Sequence, residues 1–150
     1  MRFLLVEDNA VLAAGLSWAL RDLGHEVSVA PMGRQAIGMI QHQSPDAVIL
    51  DISLPDIDGV QVAEFIRRDH ADLPIVFASG HDGDQPRLVA AVKDSLTAIL
   101  RKPYATETLL EVVAKLIAPP VSWAPGDLGR GGAADRVAQV DCRHPDQPTP

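Results

Sequence analysis

At 150 residues and a formal net charge of -7, the chain has room for one domain of ordinary size and a short appendage. Its acidic balance argues against sequence-independent binding to nucleic acid or to an anionic membrane surface, because both need basic patches. The only cysteine, Cys142, excludes an intramolecular disulfide framework, and every apolar stretch is shorter than the roughly 18 residues of a membrane span. The chain begins with a strand-like run instead of an export signal, so we expect a cytoplasmic protein.

Strand-like and helix-like patterns alternate along the first 117 residues. Apolar or alternating runs predict strands, and apolar residues at helical spacing or turn residues at the ends predict helices. In chain order the patterns predict a strand at 2–6, a helix at 12–23, a strand at 26–30, a helix at 33–41, a strand at 46–50, a helix at 60–68, a strand at 73–78, a short helix at 87–93, a strand at 97–100 and a last helix capped by Thr106. Gly24 is expected to follow the end of the first helix.

This alternation predicts an α/β fold with a doubly wound, five-stranded parallel sheet and helices on both faces, because parallel strands require crossover connections. The runs at 46–50 and 73–78 are almost continuously apolar, which suits central strands. The run at 26–30 alternates between polar and apolar residues, which suits an edge strand. We therefore predict the flavodoxin-like strand order 2-1-3-4-5.

The composition changes after residue 117. Half of the 12 prolines and four of the 11 glycines lie in this last segment, which has no sustained apolar period. We therefore predict one domain at 1–117 and a Pro/Gly-rich, disordered tail at 118–150.

Acidic side chains follow two of the predicted strands. Glu7 and Asp8 come after the strand at 2–6, and Asp51 comes after the strand at 46–50. If these strands are neighbours, the three carboxylates converge at the edge where open α/β sheets bind ligands, and their crowding calls for a divalent cation. Each acidic residue taken alone also has an ordinary explanation, since Asp8 or Asn9 can cap the first helix.

Two further polar residues follow predicted strands at the same edge. Ser79 comes after the fourth strand, and Lys102, which precedes Pro103, comes after the fifth. A serine at a strand end is usually a turn residue, and a lone lysine is usually solvated. The conjunction of both with the acidic residues, in this order along the chain, favours a functional site.

Residues 1–117 resemble the receiver domain of two-component response regulators. The motifs that carry the resemblance are Val6-Glu7-Asp8, Leu50-Asp51, Leu54-Pro55 with Asp58-Gly59, Ser79-Gly80 and Lys102-Pro103. The resemblance implies a flavodoxin-like (CheY-like) fold and a cytoplasmic signalling protein of a two-component phosphorelay. Such a protein is not an enzyme apart from its own phosphorylation and dephosphorylation.

The resemblance also implies the role of each residue at the site. Asp51 would accept a phosphoryl group from a histidine kinase or a histidine phosphotransfer protein. Lys102 would provide a positive charge to the phosphoryl oxygens, and the hydroxyl of Ser79 would hydrogen-bond one of them after transfer. These roles agree with the chemistry of phosphoryl transfer, which depends on positioning and on neutralising charge.

The implied cofactor is Mg²⁺. Asp8 and Asp51 would bind the ion together with the backbone carbonyl of Ser53, and Glu7 would hold a metal-bound water. This set suits an ion that takes oxygen ligands, keeps several waters and engages only one or two carboxylates directly.

The chain departs from the commonest receiver pattern at two places. Many receivers have an aromatic residue three positions before the lysine, and here that position is Ile99, which argues against a rotating aromatic switch. The run Phe77-Ala78-Ser79-Gly80 is similar to the Phe-Ala-Thr-Gly signature of a receiver subgroup that is common as stand-alone domains. The resemblance further implies that the Lys102-Pro103 bond is cis, as only X-Pro bonds commonly are.

Two alternative functions remain at this stage. One is a receiver-like interaction module that binds a partner without being phosphorylated. The other is a phosphatase of the haloacid dehalogenase class, which needs a second carboxylate two residues after its nucleophile, where this chain has Ser53. No helix-turn-helix follows residue 117 and few basic residues lie there, so we expect no direct contact with nucleic acid. The acidic charge and the short apolar runs also lead us to expect no membrane contact. Phosphorylation would instead reorder the loop at 79–84 and change the affinity for a downstream protein.

Overall fold

The computed structural model describes residues 1–80 and 95–118, and the statements below refer to these two segments. The helix predicted at 87–93, the loop from residue 81 and residues 119–150 of the predicted tail lie outside them. In chain order the elements are β1 (Arg2–Val6), α1 (Ala10–Asp22), β2 (Glu26–Ala30), α2 (Gly33–His42), β3 (Ala47–Asp51), α3 (Gly59–Asp69), β4 (Ile75–Ser79), β5 (Thr97–Arg101) and α4 (Thr106–Ile117).

The five strands form one sheet in the order β2-β1-β3-β4-β5, and every pair of neighbours is parallel. This confirms the predicted fold class and strand order. All five residues of β3 and of β4 are buried, as their apolar sequences predicted, whereas the edge strand β2 is only partly covered. Each crossover in the described segments contains a helix, which packs against one face of the sheet.

Two hydrophobic clusters lie on the two faces of the sheet, because successive side chains of a strand point to opposite faces. Leu4 and Val6 of β1 belong to the cluster that packs against α2 and α3. Phe3 and Leu5 of the same strand belong to the cluster that packs against α1 and α4. Both faces are therefore covered by helices, which leaves the ends of the strands as the place where the polar side chains of the site can meet. No helix of the described residues has the length and apolar character needed to cross a membrane.

Asn9 caps the start of α1, which leaves the neighbouring Asp8 available for other contacts. The Oδ1 atom of Asn9 accepts hydrogen bonds from the backbone N–H groups of Val11 and Leu12, at 3.0 and 3.2 Å. Asn9 is thus the cap of this helix, and the exposed Asp8 is not. At the other end, Gly24 has a positive φ of 82° and follows the last turn, as predicted.

Several element ends differ from the sequence predictions by one or two residues, and three of them concern residues singled out above. Asp51 and Ser79 are the last residues of β3 and β4, whereas the patterns placed them just after these strands. The prediction that Thr106 caps the last helix is wrong. Its preceding residue, Ala105, has the extended backbone of a cap and makes no side-chain capping bond, so Thr106 is already the first helical residue.

An ion pair joins β1 to the start of β3 at the end of the sheet opposite the acidic residues. The Asp46 carboxylate accepts a hydrogen bond of 2.7 Å from the backbone N–H of Arg2 and lies 3.3 Å from its guanidinium. The backbone N–H of Arg2, and then its guanidinium, hold the pKa of Asp46 below the ordinary value of 3.8.

We predict that the substitution Asp46→Ala destabilises the protein by about 1 kcal/mol at pH 7, a small loss because the pair is exposed. The folded-state pKa of Asp46 is depressed, so its contribution is complete above the unfolded pKa and disappears as the pH falls through the folded pKa. Urea unfolding of both proteins between pH 7 and pH 3 measures this. If the difference in stability between the two proteins stays constant below pH 3.8, the stabilisation does not come from the ionised Asp46 carboxylate.

Candidate functional site

The carboxyl ends of β1 and β3 bring three carboxylates together. Glu7 and Asp8 follow β1, and Asp51 ends the neighbouring strand β3. One carboxylate oxygen from each residue lies within 4.8 Å of the others. Glu7 and Asp51 are buried, at 6% and 8% relative exposure, while Asp8 is exposed. The convergence predicted from the sequence is therefore present in the structure.

Lys102 places a positive charge between the two buried carboxylates. Its Nζ atom lies 2.6 Å from Oε2 of Glu7 and 2.7 Å from Oδ2 of Asp51. Burial, the largest single effect, lowers the pKa of Lys102, but the hydrogen bonds and charges of Asp51 and Glu7 together outweigh it and raise the pKa above 10.5. The ammonium therefore stays protonated and compensates part of the negative charge of the site.

The remaining oxygens of the two buried carboxylates accept hydrogen bonds from the backbone. Oδ1 of Asp51 accepts from the N–H of Ser53 at 3.0 Å, and Oε1 of Glu7 accepts from the N–H of Asn9 at 3.2 Å. Asp8 has no hydrogen bond or ion pair to any residue of 1–80 and 95–118. It is thus the carboxylate most open to a ligand that arrives from solvent.

The donor set fits Mg²⁺. Asp8 and Asp51 offer carboxylate oxygens, and Glu7 lies beside them within 4.8 Å. Ser53 lies in the loop that follows Asp51, and its N–H bond to Asp51 keeps its backbone at the site. An all-oxygen set in a partly open position is the arrangement that Mg²⁺ prefers.

Ser79 lies at the same edge of the sheet, at the end of β4. It is 3% exposed, and its backbone carbonyl accepts a hydrogen bond of 2.7 Å from the N–H of Lys102. This bond joins the residues that follow β5 to the end of β4. The Lys102-Pro103 bond is cis, as expected from the resemblance. Among the residues that the structure describes, none lies within 4 Å of a Cβ atom added at Gly80.

Gly59 is required where α3 starts against the loop that follows Asp51. Its N–H donates to the carbonyl of Ile52 at 2.9 Å, and an added Cβ would lie 2.3 Å from the carbonyl oxygen of Asp51. The preceding Asp58 caps α3, because its Oδ1 accepts from the N–H of Val60 at 2.8 Å. The Asp58-Gly59 pair therefore fixes the end of this loop by a cap and by close packing.

A cleft of about 520 Å³ lies beside Glu7 and Lys102, between α1 and the residues that follow β5. Tyr104 lines it and packs against the apolar cluster under α1 and α4. Burial raises the pKa of Tyr104 to about 12; among the nearby charges, Lys102 lowers it and the carboxylates raise it. Sequence reasoning missed this residue, although an aromatic side chain two positions after the lysine was a usable signal. Ile99, on β5, packs instead against the cluster on the opposite face.

The chain matches the family model of the response regulator receiver domain over residues 3–114, well over half of its length. It belongs to the response regulator receiver domain family. Among curated proteins it is 34% identical to the luminescence regulatory protein LuxO of Vibrio campbellii over 113 residues, which are 75% of this chain and 25% of that protein. It is also 34% identical to the response regulator MprA of Mycolicibacterium vanbaalenii over 117 residues, 78% of this chain and 50% of that protein. The chain thus spans half or less of the length of these relatives.

Solved structures agree with this assignment and with the CheY-like fold. The chemotaxis protein CheY4 of Vibrio cholerae superposes with a TM-score of 0.68 at 26% identity, covering 77% of this chain and 98% of that one. The receiver domain of the sensor histidine kinase PA1611 of Pseudomonas aeruginosa gives a TM-score of 0.69 at 28% identity, covering 77% and 95%. The latter structure has a magnesium ion coordinated in its active-site cleft.

We predict that Lys102→Met lowers the free energy of unfolding by about 2 kcal/mol in the absence of divalent ions, because Glu7 and Asp51 lose their shared counter-charge. Added Mg²⁺ should recover more stability in this variant than in the wild type, since the ion can replace the missing positive charge. Thermal unfolding of both proteins with and without Mg²⁺ measures the effect. Equal gains on adding Mg²⁺ would contradict the prediction.

We also predict that Gly59→Ala destabilises the protein by at least about 2 kcal/mol, because the new methyl group overlaps the backbone of Asp51 and Ile52. Gly38→Ala is the matched control. Within residues 1–80 and 95–118, nothing lies within 4 Å of a Cβ added at Gly38 in α2, so that change should stabilise by about 0.5 to 1 kcal/mol. Urea unfolding should show changes in the free energy of unfolding of opposite sign for the two variants. Similar changes would show that the overlap at Gly59 does not destabilise the protein.

Proposed function

We propose that this chain is the phosphoacceptor of a two-component phosphorelay and that Asp51 receives a phosphoryl group from a phosphohistidine. One observation carries the proposal: the Asp51 carboxylate lies 2.7 Å from the ammonium of Lys102 and, together with Glu7 and Asp8, forms a candidate cation site. A carboxylate nucleophile, a fixed positive charge and a place for a divalent ion are the parts that phosphoryl transfer to an aspartate needs.

The residues of the chain act in the following way. An oxygen of Asp51 attacks the phosphorus atom, the bond between phosphorus and the histidine nitrogen of the donor breaks, and its electron pair stays on the imidazole. Lys102 leaves Asp51 as this carboxylate becomes an acyl phosphate, and its ammonium then meets a phosphoryl oxygen. Ser79 donates its hydroxyl to another phosphoryl oxygen from the end of β4.

Mg²⁺ is the proposed cofactor: Asp8, Asp51 and the backbone carbonyl of Ser53 would hold it, and Glu7 would hold a water of the ion. When bound, the ion neutralises charge that develops on the transferring oxygens. The all-oxygen donor set supports this choice, and so does the magnesium ion in the receiver domain of PA1611.

The wider biological role follows the family. The proposed phosphodonor is a sensor histidine kinase or a histidine phosphotransfer protein in the cytoplasm, and the chain passes the signal on through protein contacts, not by catalysing a reaction on a substrate. Residues 1–117 are the proposed receiver, and 118–150 a tail that the chemistry does not need. Membership of the Phe-Ala-Thr-Gly subgroup stays a prediction.

The two alternatives are less well supported. An interaction module that is never phosphorylated has no need for a lysine between two buried carboxylates beside a third. A phosphatase of the haloacid dehalogenase class needs a carboxylate where this chain has Ser53, whose N–H donates to Asp51.

The test is phosphorylation by a small phosphodonor. Full-length protein is incubated with acetyl phosphate and Mg²⁺, and intact mass measures the adduct. We expect one labile phosphoryl group on the wild type, no adduct on Asp51→Asn, and a strongly reduced adduct on Asp8→Asn. The exposed Asp69→Asn, on α3, is the control for loss of one carboxylate and should behave as the wild type.

Two outcomes would contradict the proposal. Folded wild type without an adduct would favour the unphosphorylated interaction module. An adduct that persists on Asp51→Asn would show that another residue is the acceptor.

A further inference from the structure

The first turn of α2 is capped by a residue that is distant in the sequence. Met32, which precedes the helix, has an extended backbone but makes no side-chain capping bond. Instead, the carboxylate of Asp56 accepts a hydrogen bond of 2.8 Å from the N–H of Gly33 and one of 2.9 Å from the N–H of Arg34. Two of the N–H groups left free at a helix start are therefore satisfied from outside the helix.

Asp56 belongs to the loop at 52–58, which follows Asp51 and leads to α3. The loop is fixed near Asp51 by the bond from the N–H of Ser53 to Oδ1 of Asp51, at 3.0 Å. It is fixed at its far end by the bond from the N–H of Gly59 to the carbonyl of Ile52, at 2.9 Å. Between these two points, the exposed Asp56 carboxylate joins the loop to the start of α2 by hydrogen bonds.

Close packing supports this connection. A Cβ atom added at Gly33 would lie 2.6 Å from Cγ1 of Ile57 and 2.6 Å from Cγ2 of Val62, so the loop and α3 lie directly against the first residue of α2. The N–H of Arg34 first, and then that of Gly33, hold the pKa of Asp56 below 3.8. Asp56 is therefore ionised at neutral pH, and a carboxylate is a strong acceptor at the positive end of a helix.

We propose that Asp56 is a positioning residue for the acceptor site: by bonding to the start of α2 it holds the loop that carries Ser53 in its metal-binding conformation. The proposal rests on the function proposed above, because it assumes that Mg²⁺ binds at Asp51. Asp56 itself touches neither the ion nor the phosphoryl group. Because coupling between two sites is reciprocal, Mg²⁺ binding also strengthens the cap of α2.

Direct Mg²⁺ binding to the full chain tests the proposal. Isothermal titration compares the wild type with Asp56→Ala, which removes both bonds, and Asp56→Asn, which keeps one acceptor oxygen and loses the same charge. We expect Asp56→Ala to bind Mg²⁺ about fivefold more weakly, at the low end of the usual coupling between sites. Asp56→Asn should recover most of this loss, because Asn also caps helices well.

Asp46→Ala is the matched control. Asp46 also accepts a hydrogen bond from a backbone N–H, that of Arg2, but it lies at the opposite end of the sheet. This control should bind Mg²⁺ as the wild type does, although it loses the same charge. Folded Asp56→Ala with wild-type affinity would overturn the proposal. So would equal weakening in Asp56→Ala and Asp56→Asn, which would point to a simple charge effect.

Amide hydrogen exchange without metal separates this proposal from the proposed function. In Asp56→Ala the exchange of Gly33 and Arg34 should rise because the cap is lost, and the exchange of Ser53 should rise by about fivefold because the loop loosens. A rise at Gly33 and Arg34 alone would overturn the positioning role. If the wild type binds no Mg²⁺ while Ser53 responds as expected, the metal site fails and the positioning of the loop stands.

Discussion

The interaction on which the rest of the site depends is the bridge that Lys102 makes between Glu7 and Asp51. Two buried carboxylates next to an exposed third would repel one another strongly in a medium of low polarity. A single ammonium at 2.6 and 2.7 Å relieves this repulsion without using Asp8. Three carboxylates can therefore lie together at this edge of the sheet, with Asp8 left exposed beside the buried pair.

The sequence predicted the sheet because its strands are short, apolar and separated by crossovers, and because the alternating β2 could only suit an edge. It also predicted which residues converge, since a parallel sheet places the carboxyl ends of its strands together. It could not predict that Lys102 contacts both Glu7 and Asp51, because the reach of the side chain past β4 and β3 depends on the twist of the sheet. The cap from Asp56 was equally hidden, since helix-start rules consider neighbouring residues and this one is 22 to 23 positions away.

The two faces of the sheet differ in how they meet the site. On one face, Ile99 packs with α2 and α3 as an ordinary aliphatic core residue. On the other, Tyr104 packs under α1 and α4 and borders the same cleft as Glu7 and Lys102. The nearest large aromatic side chain along the chain from Lys102 is thus on the α1 side. Lys102 lines a cleft on the same face as Tyr104, whereas Ile99 lies on the other face.

Glu7 and Lys102 are 95 residues apart in the chain and meet only across the completed sheet. During synthesis the acidic residues emerge first, and β5 with its lysine emerges last of the strands. A chain that has folded only through β4 has the carboxylates without their counter-charge. The bridge between Glu7 and Lys102 therefore forms only when β5 has joined the sheet.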